Sequence, residues 1–213
     1  MEEYLVPTAD ADAEFTEKRS RFIGHIFRAE CEEDALAALK RMRERYWDAS
    51  HNVYAYIIRS GPTRYSDDGE PGGTAGMPVL DVLQREGICD VCCVVTRYFG
   101  GTLLGTGGLV RAYGRAARAA LEASGVSERR VWERLEIPTP YGLFEQVKKE
   151  LGRSGGVLTE TLFGSEVTVR AMLPAGETER FRHALTELSA GSIRAKSEGQ
   201  EYRAFPVREG RPT

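Results

Sequence analysis

A nearly continuous apolar run, Ile88 to Phe99, separates two glycine-rich loops in this chain of 213 residues. A strand that is apolar at successive positions is typical of the centre of a sheet covered on both faces. The loops span Arg64–Gly76 and Thr96–Gly108. Glycine reaches backbone conformations that other residues avoid, and it lets a ligand approach the main chain closely. We therefore predict that the two loops form the walls of one site and that the rest of the chain is its scaffold.

Composition and charge limit the class of protein. Apolar residues make up 41% and charged residues 29% of the chain, as in soluble globular proteins. No segment approaches the roughly 20 apolar residues that a membrane span needs, and the acidic N-terminus lacks the cationic start of a signal peptide. These features predict a cytoplasmic protein with no membrane partner. The formal charge of −3 argues against bulk affinity for nucleic acid but leaves room for a local basic patch.

The spacing of apolar residues predicts an N-terminal domain over residues 17–130, preceded by an extension over residues 1–16. Its predicted elements are the strand Phe22–Arg28, the helix Cys31–Tyr46, the strand His51–Arg59, the helix Met77–Glu86, the strand Ile88–Phe99 and a long helix from the second loop to near Gly125. Pro78 supports the start of the short helix, because proline fits the first helical turn and no deeper position.

A second domain is predicted over residues 136–205. It begins with a strand and a helix that starts near Pro140, continues with a hairpin across Gly164 and Ser165, and ends with a helix near 177–190 and a strand near 192–198. The order βαββαβ is the ferredoxin-like pattern of one sheet with two helices on one face. Residues 206–213 are predicted to be a polar tail. The fold class is therefore α+β, with two domains.

The first loop carries three carboxylates within four positions, Asp67, Asp68 and Glu70. Such a cluster is able to hold a divalent cation or to act in acid–base chemistry. It equally fits turn chemistry, in which Asp67 and Asp68 bind their own backbone. His51, at the start of its strand, is a candidate general base or a structural hydrogen-bonding residue.

The second loop follows a strand and precedes a helix, which is the arrangement that holds anions on backbone N–H groups. It lacks the lysine of a Walker loop and the third glycine of a dinucleotide fingerprint. Arg97 before the loop and Arg111 after it are able to fork onto a phosphate or carboxylate. Tyr98 or Phe99 is able to stack a base. The alternative is a tight strand-to-helix turn with solvated arginines.

The long helix presents Arg111, Arg115 and Arg118 on the face opposite its apolar stripe. This row is able to follow a phosphate backbone. Arg118 is also able to pair with Glu122, four residues later, as part of a solvated face.

Cys89 and Cys92 have the spacing of a metal-binding pair. The chain has no second such pair, its three histidines are scattered, and a structural zinc site normally needs four ligands. The same segment fits a buried strand, so we predict no metal and no cofactor.

Three segments together resemble the IMPACT family and its bacterial, YigZ-type branch. They are SHNVYAY at Ser50–Tyr56, SDDGEPGGTAG at Ser66–Gly76 and VTRYFGGTLLG at Val95–Gly105. The resemblance implies an N-terminal α/β two-layer sandwich, like the second domain of a small-subunit ribosomal protein. It also implies a ferredoxin-like C-terminal domain, like the last domain of elongation factor G. Eukaryotic members inhibit an eIF2α kinase by competing for its ribosome-associated activator, a pathway that bacteria lack.

The leading hypothesis is a non-enzymatic, translation-associated protein that binds RNA or a ribosome-linked partner. The candidate binding residues are Arg64, Ser66, Asp67, Asp68, Gly73, Thr74, Gly76, Arg97, Tyr98, Gly100, Gly101, Arg111 and Arg115. The alternative is a small enzyme for an anionic or phosphorylated substrate, with proton transfer or metal binding by His51, Asp67, Asp68 or Glu70. A third hypothesis is an interaction module whose loops shape a protein surface.

Overall fold

The computed structural model describes residues 3–206 and divides the chain into two compact units, Tyr4–Arg129 and Arg130–Arg203. Both units combine helices with a β-sheet, so the predicted α+β class with two domains is confirmed. Within residues 3–206, no helix is long and apolar enough to cross a membrane. We call the two parts the N-terminal and the C-terminal unit.

The sheet of the N-terminal unit has five strands, and each strand is antiparallel to its neighbours. In chain order they are β2 (Ala11–Glu17), β3 (Ser20–Arg28), β4 (His51–Ile57), β5 (Thr63–Ser66) and β6 (Val91–Tyr98). The order across the sheet is β2-β3-β6-β4-β5. The apolar run of the sequence is therefore the central strand, as predicted.

Three helices cover this sheet: α1 (Glu32–Arg45), α2 (Gly76–Arg85) and α3 (Thr106–Ser124). Side chains alternate across a strand. In β6, Cys93 and Val95 pack with α2 and α3, whereas Cys92 and Val94 pack with α1 on the opposite face. Burial on both faces explains why β6 is apolar at successive positions.

Two strands precede the one that the sequence predicted as the first. They are β1 (Tyr4–Pro7) and β2, so the expectation of a first strand at Phe22 is wrong. Residues Ala11, Ala13 and Phe15 of β2 are half-buried, while the alternate positions Asp12 and Glu14 are exposed. Alanine is a weak apolar signal, so the sequence does not indicate this alternation clearly. The segment predicted as an N-terminal extension, residues 1–16, contains β1 and all of β2 except Glu17.

A long strand, β7 (Val126–Thr139), pairs with β1 through its first residues and continues into the C-terminal unit. That unit also contains α4 (Phe144–Arg153), β8 (Val157–Phe163), β9 (Val167–Pro174), α5 (Thr178–Ser189) and β10 (Lys196–Pro206). The sheet order β10-β7-β9-β8 is the ferredoxin-like order. Both helices pack against one face of it, for example through Val147 and Phe181.

The last strand differs from its predicted position. It begins at Lys196, four residues later than expected, and continues to Pro206. Its sequence is mostly charged and polar, so periodicity gave little guidance to its bounds. The predicted tail, residues 206–213, lies outside the described residues apart from Pro206.

Candidate functional site

The two glycine-rich loops meet around one cavity of about 430 Å³, which we call the inter-loop cavity. The first loop contributes Glu70 and Pro71, and the second contributes Phe99 and Leu103. His51, the first residue of β4, completes the polar part of the wall. The two loops thus line a single cavity although the α2 helix and most of β6 separate them in sequence.

A buried ion pair between Glu70 and Arg97 connects the two loops at the back of this cavity. Glu70 Oε1 accepts hydrogen bonds from Arg97 Nη1 (2.5 Å) and from the Tyr113 hydroxyl (2.7 Å). The side chains of Glu70 and Arg97 are only 4% and 5% exposed. Arg97 Nη2 also donates to Ser20 Oγ (3.3 Å). The cluster therefore joins the first loop, β6, α3 and the start of β3.

This cluster changes the interpretation of Arg97. The sequence suggested that its guanidinium is free to bind a phosphate, but both of its terminal nitrogens are engaged inside the protein. Burial, reinforced by the hydrogen bond to Glu70, raises the pKa of Tyr113, so this hydroxyl keeps its proton and donates a hydrogen bond to Glu70. We therefore assign Arg97 and Tyr113 to the positioning of Glu70.

His51 presents one ring nitrogen to the cavity. Its Nδ1 lies 2.8 Å from the carbonyl oxygen of Asp68, and a carbonyl only accepts, so Nδ1 carries a proton. The other nitrogen, Nε2, lies 3.8 Å from Glu70 Oε1. In the neutral ring Nε2 is an acceptor at the cavity wall.

Asp67 and Asp68 are engaged with the protein itself. Asp67 accepts the N–H groups of Gly73 (2.8 Å), Ala75 (3.0 Å) and Gly76 (2.8 Å), which shape the loop before α2. Asp68 accepts the N–H of Asn52 (2.7 Å) and a bond from Arg43 (3.1 Å). Asp67 therefore binds the backbone of its own loop, as in the turn interpretation. Asp68 instead binds β4 and α1, so the turn interpretation does not describe it.

The hydrogen bonds to Asp67 predict a pH-dependent contribution to stability. Partial burial raises the pKa of Asp67, but the three N–H bonds outweigh it, and the pKa lies below its ordinary value of 3.8. Because the pKa of this carboxyl is lower in the folded state, its ionised form stabilises the protein at pH values above the unfolded-state pKa. This contribution is lost as the pH falls through the folded-state pKa. We expect D67N to be about 1–2 kcal/mol less stable than wild type near pH 7.

Urea unfolding across the acidic pH range measures this contribution. The difference between wild type and D67N should shrink below about pH 4, where the Asp67 carboxyl of the unfolded wild-type chain begins to gain its proton. A difference that stays constant down to the lowest pH would show that the charge of Asp67 contributes nothing.

Three further first-loop candidates have internal partners. Ser66 Oγ accepts the N–H two residues later (3.1 Å), and Thr74 Oγ1 donates to the Pro71 carbonyl (2.7 Å). Arg64 lies on β5, where its Nε donates to Glu32 (3.0 Å). None of the three is a cavity-lining residue.

The candidate glycines shape the loops. Gly73 and Gly101 have φ values of +75° and +80°, in the left-handed region that glycine tolerates. A Cβ on Gly76 would lie 2.7 Å from the backbone of Ser66. A Cβ on Gly100 would lie 2.0 Å from the backbone of the β2–β3 turn. Close approach of backbones thus requires glycine at 76 and 100.

Tyr98, the last residue of β6, and Phe99, the residue after it, make different contacts. The Tyr98 hydroxyl donates to Asp48 (2.8 Å), away from the cavity. Phe99 is 48% exposed and lines the cavity together with Leu103, which is 82% exposed. The sequence does not indicate Leu103 as a site residue, because a single apolar residue in a surface loop is ordinary.

A second surface feature lies between α2 and α3. Arg111, Arg115 and Arg118 of α3 and Arg85 of α2 line a groove of about 500 Å³, and we call these four residues the arginine face. All four are exposed. Sequence reasoning did not include Arg85, because nothing in the sequence shows that the two helices lie side by side.

The partners of the arginine face are few. Arg118 lies 3.8 Å from Glu86 of the α2 end, and not against Glu122 as the helical spacing suggested. Arg115 stacks over the ring of Phe15, 4.3 Å from its centroid. Among the described residues, Arg85, Arg111 and Arg115 have no ion-pair partner.

Comparisons with known proteins agree with this two-part organisation. The model of the Impact N-terminal domain matches residues 18–121, and that of a domain of unknown function, DUF1949, matches residues 139–192. The chain is 35% identical to the IMPACT family member YvyE of Bacillus subtilis, over 90% of this chain and 89% of that protein. It is 34% identical to the family member YigZ of Escherichia coli, over 91% and 97%.

A solved structure described as a hypothetical protein matches the whole fold. It has a TM-score of 0.59 and 31% identity, and the match covers 99% of this chain and 100% of that one.

Proposed function

Because this chain belongs to the IMPACT family, we propose that it is a non-enzymatic, translation-associated protein of the cytoplasm that recognises RNA through the arginine face. One observation carries this proposal. Four exposed arginines lie along one groove, and three of them have no ion-pair partner among the described residues, in a chain whose formal charge is −3. A local basic surface on an acidic chain favours a specific anionic partner over bulk electrostatic attraction.

The geometry of α3 suits a phosphate backbone. Arg111, Arg115 and Arg118 follow the i, i+4, i+7 spacing, so they lie on one side of the helix over about 10 Å of its length. Each planar guanidinium is able to donate two parallel hydrogen bonds to a phosphate. The row therefore offers successive contacts to successive phosphates.

Binding is favoured over catalysis by the state of the carboxylates. Proton transfer requires an acid or base that is free to exchange its proton with a substrate. Asp67, Asp68 and Glu70 each accept at least two hydrogen bonds from the protein. These bonds use the carboxylates to hold the loops, so the enzyme hypothesis retains only His51 as a candidate.

The arginine face is tested by the double variant R111A/R115A. We expect it to bind a labelled RNA hairpin at least tenfold more weakly near 50 mM salt, with the slope of log K against log salt reduced by about 1–2. Fluorescence anisotropy near 50 and 200 mM salt measures both quantities.

The control is R153A/R180A, which removes the same charge from exposed arginines of α4 and α5. It should bind RNA as the wild type does. Equal losses in the two double variants would indicate a general charge effect, and wild-type protein with no salt-sensitive RNA binding would exclude RNA as the partner. In that case capture of a ribosome-linked protein becomes the next measurement.

A further inference from the structure

The inter-loop cavity has the size and the walls of a ligand site. Its volume of about 430 Å³ lies in the range of small-molecule pockets. Phe99, Leu103, Leu109 and Pro71 provide apolar surface. Phe99 and Leu103 remain 48% and 82% exposed, so the walls are open to a flat ligand that covers them. Such walls suit the face of an aromatic ring.

The side chains of the polar lining provide acceptors. With its proton on Nδ1, the neutral ring of His51 presents Nε2 as an acceptor, and the carboxylate of Glu70 is a second one. Arg97 also lines the cavity, but its terminal nitrogens donate to Glu70 and Ser20 and its Nε is buried.

The start of α3 supplies the donors. The helix begins at Thr106 without a side-chain cap, and the N–H groups that precede the one of Leu109 have no acceptor within the helix. Gly105 and Thr106 line the cavity. The site therefore offers at least one donor beside two acceptors.

This combination matches one base of RNA better than the others. The Watson–Crick edge of guanine presents the acceptor O6 beside two donors, N1–H and N2–H₂. Adenine and cytosine each present a single amino donor beside a ring acceptor, and uracil presents a single N–H between two acceptors. We propose that the inter-loop cavity binds an unpaired guanine, an inference that rests on the proposed recognition of RNA.

One hollow shares lining residues with both the inter-loop cavity and the arginine face. A smaller hollow of about 260 Å³ is lined by Leu104, Arg111 and Arg115. Leu104 also lines the inter-loop cavity, and Arg111 and Arg115 also line the groove between α2 and α3. These shared residues place the arginines near the cavity, so a single strand whose phosphates contact the arginines is able to insert one unstacked base into it.

The test compares labelled oligouridine with the same oligonucleotide carrying one central guanine or adenine. We expect the guanine oligonucleotide to bind the full-length protein roughly tenfold more tightly than oligouridine, and the adenine one to show no such gain. In H51A and L103A the preference for guanine should disappear while oligouridine binding stays unchanged. The control W47A removes an equally exposed apolar side chain outside the cavity, 82% exposed, and should keep the preference.

A second measurement separates the cavity from the arginine face. Guanosine 5′-monophosphate should shift the NMR signal of the His51 ring, and uridine 5′-monophosphate should leave it in place. RNA binding with no preference for guanine and no shift of His51 would overturn the guanine site and leave the proposed function standing. A shift of His51 by the nucleotide in a protein that binds no RNA would support the cavity and overturn the proposed function. Absence of every effect would overturn both.

Discussion

Replacing Glu70 by alanine is expected to lower the free energy of unfolding of the N-terminal unit by about 3–5 kcal/mol. The substitution leaves the guanidinium of Arg97 buried, 5% exposed, without its carboxylate. It also removes the acceptor of the fully buried Tyr113 hydroxyl. Native-state hydrogen exchange of the β6 amide groups in the full-length protein measures the change, because it reports the stability of that unit alone.

Two comparison variants distinguish a buried ion pair from a general effect of charge. E86A removes the partner of Arg118, whose side chain is 54% exposed, and should cost less than about 1 kcal/mol. In E70L/R97M both charges are replaced by apolar groups, so the part of the loss that comes from the unpaired guanidinium should return, whereas the Tyr113 hydroxyl still lacks its acceptor. If E70A and E86A lowered the stability equally, the buried Glu70–Arg97 pair would contribute no more to stability than an exposed ion pair.

The part of the fold that the sequence predicted best is β6. Its apolar residues pack into two cores, one with α2 and α3 and one with α1. The continuous apolar run in the sequence therefore indicates a strand that is buried on both faces. The opposite case is β2, where Ala11 and Ala13 provide little apolar signal and the exposed positions are charged. Pairing with β3 over all seven residues, and not local propensity, makes that segment a strand.

The candidate site was predictable only in its location. The sequence indicated two loops that form one site, and it included Glu70, Arg97 and His51 among the candidates. It did not indicate that Glu70 pairs with Arg97, 27 residues later, or with Tyr113, 43 residues later. No local pattern encodes such contacts, because they depend on how β6 and α3 pack. The same holds for Arg118, whose partner Glu86 lies on a neighbouring helix and not at the i+4 position.

Substitution of Gly100 by alanine is expected to destabilise the N-terminal unit by about 2–3 kcal/mol, at the upper end of the range for overpacking. The new Cβ would lie 2.0 Å from the carbonyl carbon of Arg19 and 2.5 Å from the nitrogen of Ser20. Both are backbone atoms, so no side-chain rotation relieves the contact and the second loop must move away from the β2–β3 turn. Hydrogen exchange of β3 and β6 amide groups measures the loss.

The matched control is Gly72→Ala in the first loop. Gly72 does not have a left-handed φ, and a Cβ there meets no atom within 4 Å, so its stability should stay within about 0.5 kcal/mol of wild type. Displacement of the second loop by G100A should also break the Ser20 contacts with Gly100 N and Arg97 Nη2, which hold the back of the cavity. The variant should therefore lose the response of His51 to guanosine 5′-monophosphate, whereas G72A keeps it. A stable G100A protein with an unchanged His51 response would show that the close approach of the two backbones does not shape the cavity.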